Sequence, residues 1–149
     1  MEDLLQVAEV KITYSSKIKP SKRTKISNPE ECVSLFRAFY KDDYEYREKF
    51  YVAYLNRANK VIGVKLLSTG SDAATIVSVK SIMQGAILAH ACGLVLCHNH
   101  PSGNLQASQH DITITKKIKE AALLFDIVLM DHLILTEESF LSFANEGII

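Results

Sequence analysis

What this chain lacks narrows what it can be. No apolar run approaches the roughly 18 residues of a membrane span, so no transmembrane helix is expected. There is no net charge, since 17 basic residues balance 17 acidic ones, and so no global pull toward nucleic acid or a membrane surface. Cysteine is sparse and odd in number: Cys32, Cys92 and Cys97 stand at irregular spacing. That is no disulfide framework and implies a reducing compartment. The opening MEDLLQVAEVKI carries acidic residues early and lacks the apolar core of a secretory signal, so a cytoplasmic location is expected. No internal repeat or low-complexity segment appears, and no C-x-x-C pair occurs. What remains is an ordinary globular composition, 48% hydrophobic and 23% charged, over 149 residues. We read residues 1–149 as one domain, able to bury roughly two-thirds of its unfolded surface.

The pattern along the chain mixes strands and helices. Val7 to Tyr14 alternates apolar and polar residues and predicts a strand. The run KIKPSKRTK, Lys17 to Lys25, follows as an exposed loop, so that 1–26 is an N-terminal strand plus basic loop. That run is either a solvated connector or a weak contact for phosphates of nucleic acid. Asn28-Pro29 marks a helix start, with Cys32, Leu35, Phe36 and Phe39 on its apolar stripe. Strands from Phe50 to Leu55 and over VIGVKLLS, joined by the turn NRANK, predict a hairpin. A second helix opens at Ser78, with Val79, Ile82, Met83, Ala86 and Ile87 on one face and Gly93 as its terminating residue. Leu94 to Cys97 is a continuous apolar run, as in a strand buried on both faces. A third helix runs from near Ser108 to about Phe125, and Ile127 to Leu135 is the last central strand. Helices before and after a central strand predict an α/β sandwich.

One loop carries chemistry. Residues 98–111 read HNHPSGNLQASQHD. His98 and His100 sit two positions apart at a strand end, so both imidazoles project to one face if the chain stays extended. Pro101, Ser102 and Gly103 turn the chain, and Asp111 falls in the first turn of the next helix. Two imidazoles and a carboxylate leave one tetrahedral position open, the arrangement of a catalytic rather than a structural zinc. Ser108-x-x-Asp111 is also the outline of a capping box. The whole pattern H-x-H-x(7)-S-x(2)-D fixes four positions and should arise by chance on the order of once in several thousand chains. A zinc deaminase is excluded, because it needs H-x-E followed by C-x-x-C. The consecutive letters HNH are a coincidence, since HNH nucleases spread those residues over a ββα unit.

The pattern H-x-H-x(7)-S-x(2)-D resembles the signature of the JAMM (JAB or MPN+) metalloprotease superfamily. LVLCHNHPSGNLQASQHD, with REKFYVAYLNRANKVIG before it and LLFDIVLMDHLILTEESFLSFANEGII after it, is similar more narrowly to the RadC-like branch. The resemblance covers the chain from about residue 7 to the end. It implies an MPN-like (cytidine-deaminase-like) α-β-α sandwich with a central mixed sheet. It implies Zn2+ held by His98, His100 and Asp111. It also implies a catalytic glutamate from an upstream strand, a place Glu48 occupies, and Ser108 as an oxyanion donor. Glu48 shares its parity with Phe50, Val52 and Tyr54; Glu45 is the weaker competitor. The activity implied is hydrolysis of a peptide or isopeptide bond in a protein or peptide substrate. RadC-like proteins also carry a DNA-repair label, so a nucleic-acid-binding protein or metal-dependent nuclease is the alternative. The longer members have an N-terminal helix-hairpin-helix region, whereas only about 25 residues precede the first expected helix here. A binding module with a dead site is less fitting, because every motif residue is present. The parity of β-structure makes Asn99 a bystander and turns Cys97 away from the metal. Either Asp131 or His132 could hydrogen-bond a ligand imidazole, or the two could be a buried pair satisfied by their neighbours. His90 is expected to be a partly exposed structural residue, and His110 to lie near the metal loop without ligating. Neither substrate identity nor oligomeric state is readable.

Overall fold

The computed structural model of the protein describes residues 8–11, 13–70 and 76–149. The first helix, α1 (Pro29–Tyr40), starts where its cap predicts: the Asn28 side chain accepts the Glu31 N–H at 2.9 Å, with Pro29 in the first turn. Its inner face is Cys32, Val33, Phe36 and Tyr40, whereas Phe39, counted into the stripe by spacing, is 41% exposed. The hairpin follows as β1 (Lys49–Leu55) and β2 (Val61–Thr69), paired antiparallel. Its turn is held by Asn56, whose Oδ1 accepts the Ala58 and Lys60 N–H groups. Helix α2 (Val79–Leu88) is capped by Ser78. The remaining elements are β3 (Gly93–Asn99), α3 (Gln109–Leu123), β4 (Val128–Leu135) and a short β5 (Phe140–Ser142).

Two local expectations fail. The alternation at 7–14 does not make a strand: residues 8–11, 13 and 14 have no strand structure and are exposed, while Val7 and Ile12 lie outside the described residues. A strand needs a neighbour to take its backbone groups, and none of the described residues of this stretch pairs with the sheet, whose edge strands are formed by other segments. Gly93 does not terminate α2 either. His90 takes the left-handed conformation after that helix (φ 53°), and Gly93 opens β3 instead. A Cβ on Gly93 would stand 3.1 Å from the Met130 sulfur, so close approach of strands, not helix capping, is what this glycine serves.

The five strands form one mixed sheet in the order β2-β1-β3-β4-β5, with β3 and β4 parallel and the other pairs antiparallel. Helices cover both faces. On one side α1 packs against Tyr51, Ala53, Leu55, Val95, Cys97, Leu133 and Leu135. On the other, α2 and α3 pack against Phe50, Val52, Tyr54, Leu94 and Leu96. This is the three-layer α-β-α sandwich, and it buries β3 completely. No helix among the described residues is long and apolar enough to cross a membrane. The basic run is exposed along Lys17–Lys22, and its end is tied down: Val61 N–H bonds Thr24 O, and Ile26 N–H bonds Asn59 O.

The pairing of β3 with β4 contains an irregularity that matters for the site. Leu94 lies opposite Leu129, but Val95 lies opposite Asp131, so Met130 is an extra residue. Simple alternation from Leu129 would turn Asp131 and Leu133 to the α3 face. The inserted residue reverses the parity, so His132 rather than Asp131 faces α3.

The tightest packing joins α2 to β1. A Cβ at Gly85 would collide with the Tyr54 hydroxyl, which donates to Ile82 O at 3.0 Å. Gly85→Ala gains up to about 1 kcal/mol of helix propensity but overpacks this contact at a cost of roughly 1–3 kcal/mol. We expect a net loss of stability, read as a lower urea midpoint with an unchanged m-value; a raised midpoint would show that Tyr54 can move aside freely.

Candidate metal centre

Strand β3 is buried at every position, and its alternation sorts its side chains. Leu94, Leu96 and His98 face α2 and α3, whereas Val95, Cys97 and Asn99 face α1. His98 lies against Phe50, nearly parallel to it at 5.8 Å. His100 is the first residue beyond the strand, and its N–H continues the pairing with Leu135 O at 3.0 Å. The chain then turns, closed by Gly103 N–H to His100 O, with Gly103 at φ 78°, a conformation that glycine adopts at no steric cost. Ser108 starts α3 with a complete capping box: its Oγ accepts the Asp111 N–H, and Asp111 Oδ2 accepts the Ser108 N–H.

These elements bring His98, His100 and Asp111 together, with potential ligand atoms all within 4.8 Å of one another. The His98 and His100 Nε2 atoms are 2.9 Å apart. Asp111 Oδ1 is 3.4 Å from His98 Nε2, and Oδ2 is 3.5 Å from His100 Nε2. Around tetrahedral zinc, with Zn–N of about 2.0–2.1 Å, neighbouring nitrogens stand about 3.3 Å apart, so the triangle fits such an ion with little movement. The donor chemistry fits as well. His100 Nδ1 is 2.5 Å from Asn104 O, and a carbonyl can only accept, so Nδ1 carries the hydrogen and Nε2 presents its lone pair. This cluster can hold a metal ion.

The charges are arranged for it. Burial acts to raise the Asp111 carboxyl, but the His100 and His98 rings beside it and the hydrogen bond from the Ser108 amide hold it well below the usual carboxylate range. Burial acts to lower His100, yet Asp111 and the Asn104 carbonyl outweigh it and raise it above an ordinary histidine. His132 is driven well down by burial and by the neighbouring His98, so its ring stays neutral. A proton or a cation between the two Nε2 atoms is therefore favoured in this triangle.

The Asp131–His132 pair divides its work. His132 Nε2 lies 2.8 Å from His98 Nδ1 and is wholly buried, so this residue contacts a candidate ligand directly. Asp131 faces the other way. Its carboxylate accepts from the Ser142 hydroxyl at 2.6 Å and the Ala144 N–H at 3.0 Å, and so fastens the C-terminal turn.

Asn99 is no bystander. It is fully buried, its Oδ1 accepts the Lys49 N–H at 2.7 Å, and its Nδ2 donates to Tyr44 O and Arg47 O, each at 2.8 Å. It therefore clamps the 44–49 segment, which carries Glu48, onto the end of β3. Parity correctly turned it away from the ligands but could not show that irregular backbone waited on that side. Glu48 itself is half-buried and directly precedes β1. Glu48 stands two residues before Phe50, which pairs with His98, and its carboxylate acts electrostatically on the His100 ring. Glu45 is exposed and lines a cavity of about 220 Å3 beside His100, together with Tyr44, Thr136, Glu137 and Glu138. Ser108 is exposed, and while its Oγ accepts from Asp111 N–H its hydroxyl proton can serve another acceptor. His110 and His90 are exposed. Burial pushes the Cys32 thiol up to about 12 and holds Cys97 well above its ordinary value, so neither is a ready thiolate nucleophile.

Comparison with known proteins decides the family. The model of the RadC-like JAB domain matches residues 26–148. The chain belongs to the RadC-like JAB domain family. A UPF0758 protein of Flavobacterium johnsoniae is 50% identical over 101 residues, which are 68% of this chain and 44% of that protein. A UPF0758 protein of Clostridium acetobutylicum is 36% identical over 129 residues, 84% of this chain and 54% of its own length. The UPF0758 protein YfjY of Escherichia coli is 39% identical over 103 residues, 69% of this chain and 64% of its own length. This RadC-like chain thus spans about half the length of the curated relatives it matches. The matched residues include α1, the whole sheet and the His98–Asp111 loop.

The clamp in this RadC-like domain is testable. Asn99→Asp keeps the acceptor for Lys49 but faces the Tyr44 and Arg47 carbonyls with an oxygen instead of two N–H donors. Leaving those groups unsatisfied costs about 1–3 kcal/mol, more for the charged form. Denaturation should show a loss of that size, and hydrogen exchange should speed up in residues 44–49; unchanged exchange there would exclude the clamp.

Proposed function

We propose that this domain is a zinc-dependent hydrolase of JAMM type that cleaves amide bonds, peptide or isopeptide. The observation that carries this reading is the His98–His100–Asp111 triangle, with two imidazole lone pairs and one depressed carboxylate converging beside an open cavity. Zinc bound there would supply Lewis acidity, polarising a substrate carbonyl and acidifying water near neutral pH. Glu48, whose carboxylate acts on the His100 ring, would take the proton from the attacking water and deliver it to the leaving amine. Ser108, at the positive end of α3, would donate its hydroxyl hydrogen to the developing oxyanion. The cavity beside His100 offers room for a substrate chain on the His100 side of the site.

Charge placement favours a protein substrate over a nucleic acid. The cavity wall carries Glu45, Glu137 and Glu138, which would repel a phosphate backbone. The basic run joins the fold at the opposite end of β1 from Glu48, about 20 Å away along the strand, because Thr24 and Ile26 bond to the 59–61 turn.

Zinc content tests the metal directly. Zinc-loaded wild type should retain about one equivalent after dialysis, and His98→Ala or Asp111→Ala should retain much less; no retention by wild type would end the metalloenzyme reading. Glu48→Gln should keep its zinc and lose about 10²–10⁴-fold in rate on peptide libraries. Ser108→Ala should lose roughly 10²–10³-fold and about 1 kcal/mol of stability from the lost cap. Metal- and Glu48-dependent cleavage of DNA alone would overturn the peptidase assignment in favour of a nuclease.

A further inference from the structure

Behind the metal triangle lies a buried chain of polar groups that the H-x-H-x(7)-S-x(2)-D pattern does not contain. His98 Nδ1 stands 2.8 Å from His132 Nε2. His132 Nδ1 stands 2.6 Å from Thr115 Oγ1, and Thr115 Oγ1 donates to Asp111 O at 2.5 Å. His132 and Thr115 are both fully buried, at 0% exposure, and His98 is at 1%. The chain begins on one candidate ligand in β3, passes through β4, and ends on the backbone of another in α3.

With a proton or a cation filling the 2.9 Å gap between the His98 and His100 Nε2 atoms, proton counting along this chain leaves one assignment. Each of these contacts is short enough to need a hydrogen between its two atoms. A carbonyl oxygen has none, so the single hydroxyl hydrogen of Thr115 goes to Asp111 O. The hydrogen between Thr115 and His132 must then come from His132 Nδ1. An imidazolium this deeply buried, facing only a hydroxyl and another imidazole, would be costly, so His132 keeps one ring hydrogen and its Nε2 is an acceptor. The hydrogen between the two rings is therefore on His98 Nδ1, and His98 Nε2 points its lone pair into the metal triangle.

We propose that Thr115, acting through His132, sets the ring tautomer of His98 and thereby makes His98 competent to bind the metal. This rests on the metallohydrolase reading for its purpose, though not for its geometry. Thr115 and His132 are positioning residues, since neither has an atom in the triangle. Without the Thr115 oxygen, His132 Nδ1–H would be a buried donor with no acceptor. The chain can escape by reversing: His132 then donates from Nε2, His98 accepts at Nδ1, and His98 Nε2 carries the hydrogen toward His100, only 2.9 Å away. A histidine protonated at Nε2 cannot ligate through that atom. The Met130 insertion in β4 is what turns His132 to the α3 face and permits the chain.

The test is Thr115→Val, nearly the same shape without the hydroxyl, against Thr115→Ser, which restores it. Long-range proton–nitrogen NMR on metal-free, histidine-labelled protein should find His98 protonated at Nδ1 in wild type and Thr115→Ser, and not in Thr115→Val. Zinc affinity by competition with a chelator should fall about 10–100-fold in Thr115→Val and stay near wild type in Thr115→Ser. An unchanged His98 tautomer in Thr115→Val, or zinc affinity equal to wild type, overturns the proposal. Failure of wild type to bind zinc would instead sink the metal reading, and the NMR arm would still decide the tautomer.

Discussion

Two imidazole nitrogens 2.9 Å apart with their lone pairs toward each other cannot rest without a positive charge between them. A proton or a metal ion supplies it, and Asp111 draws either one in. The rest of the domain works to hold that pair in place. Residues two apart on an extended strand would normally place their rings side by side on one face. Here His98 is still in the sheet, packed against Phe50, while His100 has just left it, tied by Nδ1 to the Asn104 carbonyl. The two rings converge because one is fixed by a core and the other by a turn.

Burial of β3 gives that pair its rigidity. A strand covered on both faces cannot slip by a residue without exchanging its α1-facing and α3-facing side chains. The same burial depresses His132 and strengthens every polar contact behind the site. The candidate ligands come from β3 and the start of α3. The other supports come from flanking strands: Glu48 from the approach to β1, His132 from β4. Asn99 fixes the first of these supports, and the extra residue in β4 aims the second. Both devices are structural features next to the chemistry, where a local irregularity re-aims a side chain that regular geometry would misplace.

Much of this was readable in the residues. The strongest signals were local in sequence: Asn28-Pro29 and the Ser108–Asp111 box are short-range hydrogen-bonding patterns, and the H-x-H-x(7)-S-x(2)-D spacing lies within one loop. The errors share a cause. The alternation at 7–14 describes an amphipathic ribbon but says nothing of a neighbouring edge to pair with. Glycine is cheap in the left-handed conformation, which makes Gly93 look like a helix stop, yet His90 takes that conformation, and the glycine is needed where Met130 comes close. For Asn99, parity gives a direction but not what lies there.

The sequence by itself determined the element types from residue 28 onward, the family, and the identity of the groups that could bind a metal, because each depends on residues close together in the chain. Only the tertiary structure decided how Glu48, Asn99, His132 and Thr115 meet that loop. The Thr115–His132, His98–His132 and Asn99–Tyr44 contacts span separations of 17, 34 and 55 residues. They depend on sheet order, register and one inserted residue, none of which leaves a periodic mark. The ring hydrogen of His98 is the plainest case. A histidine has the same letter in either tautomer, and what selects between them is a buried threonine on another element.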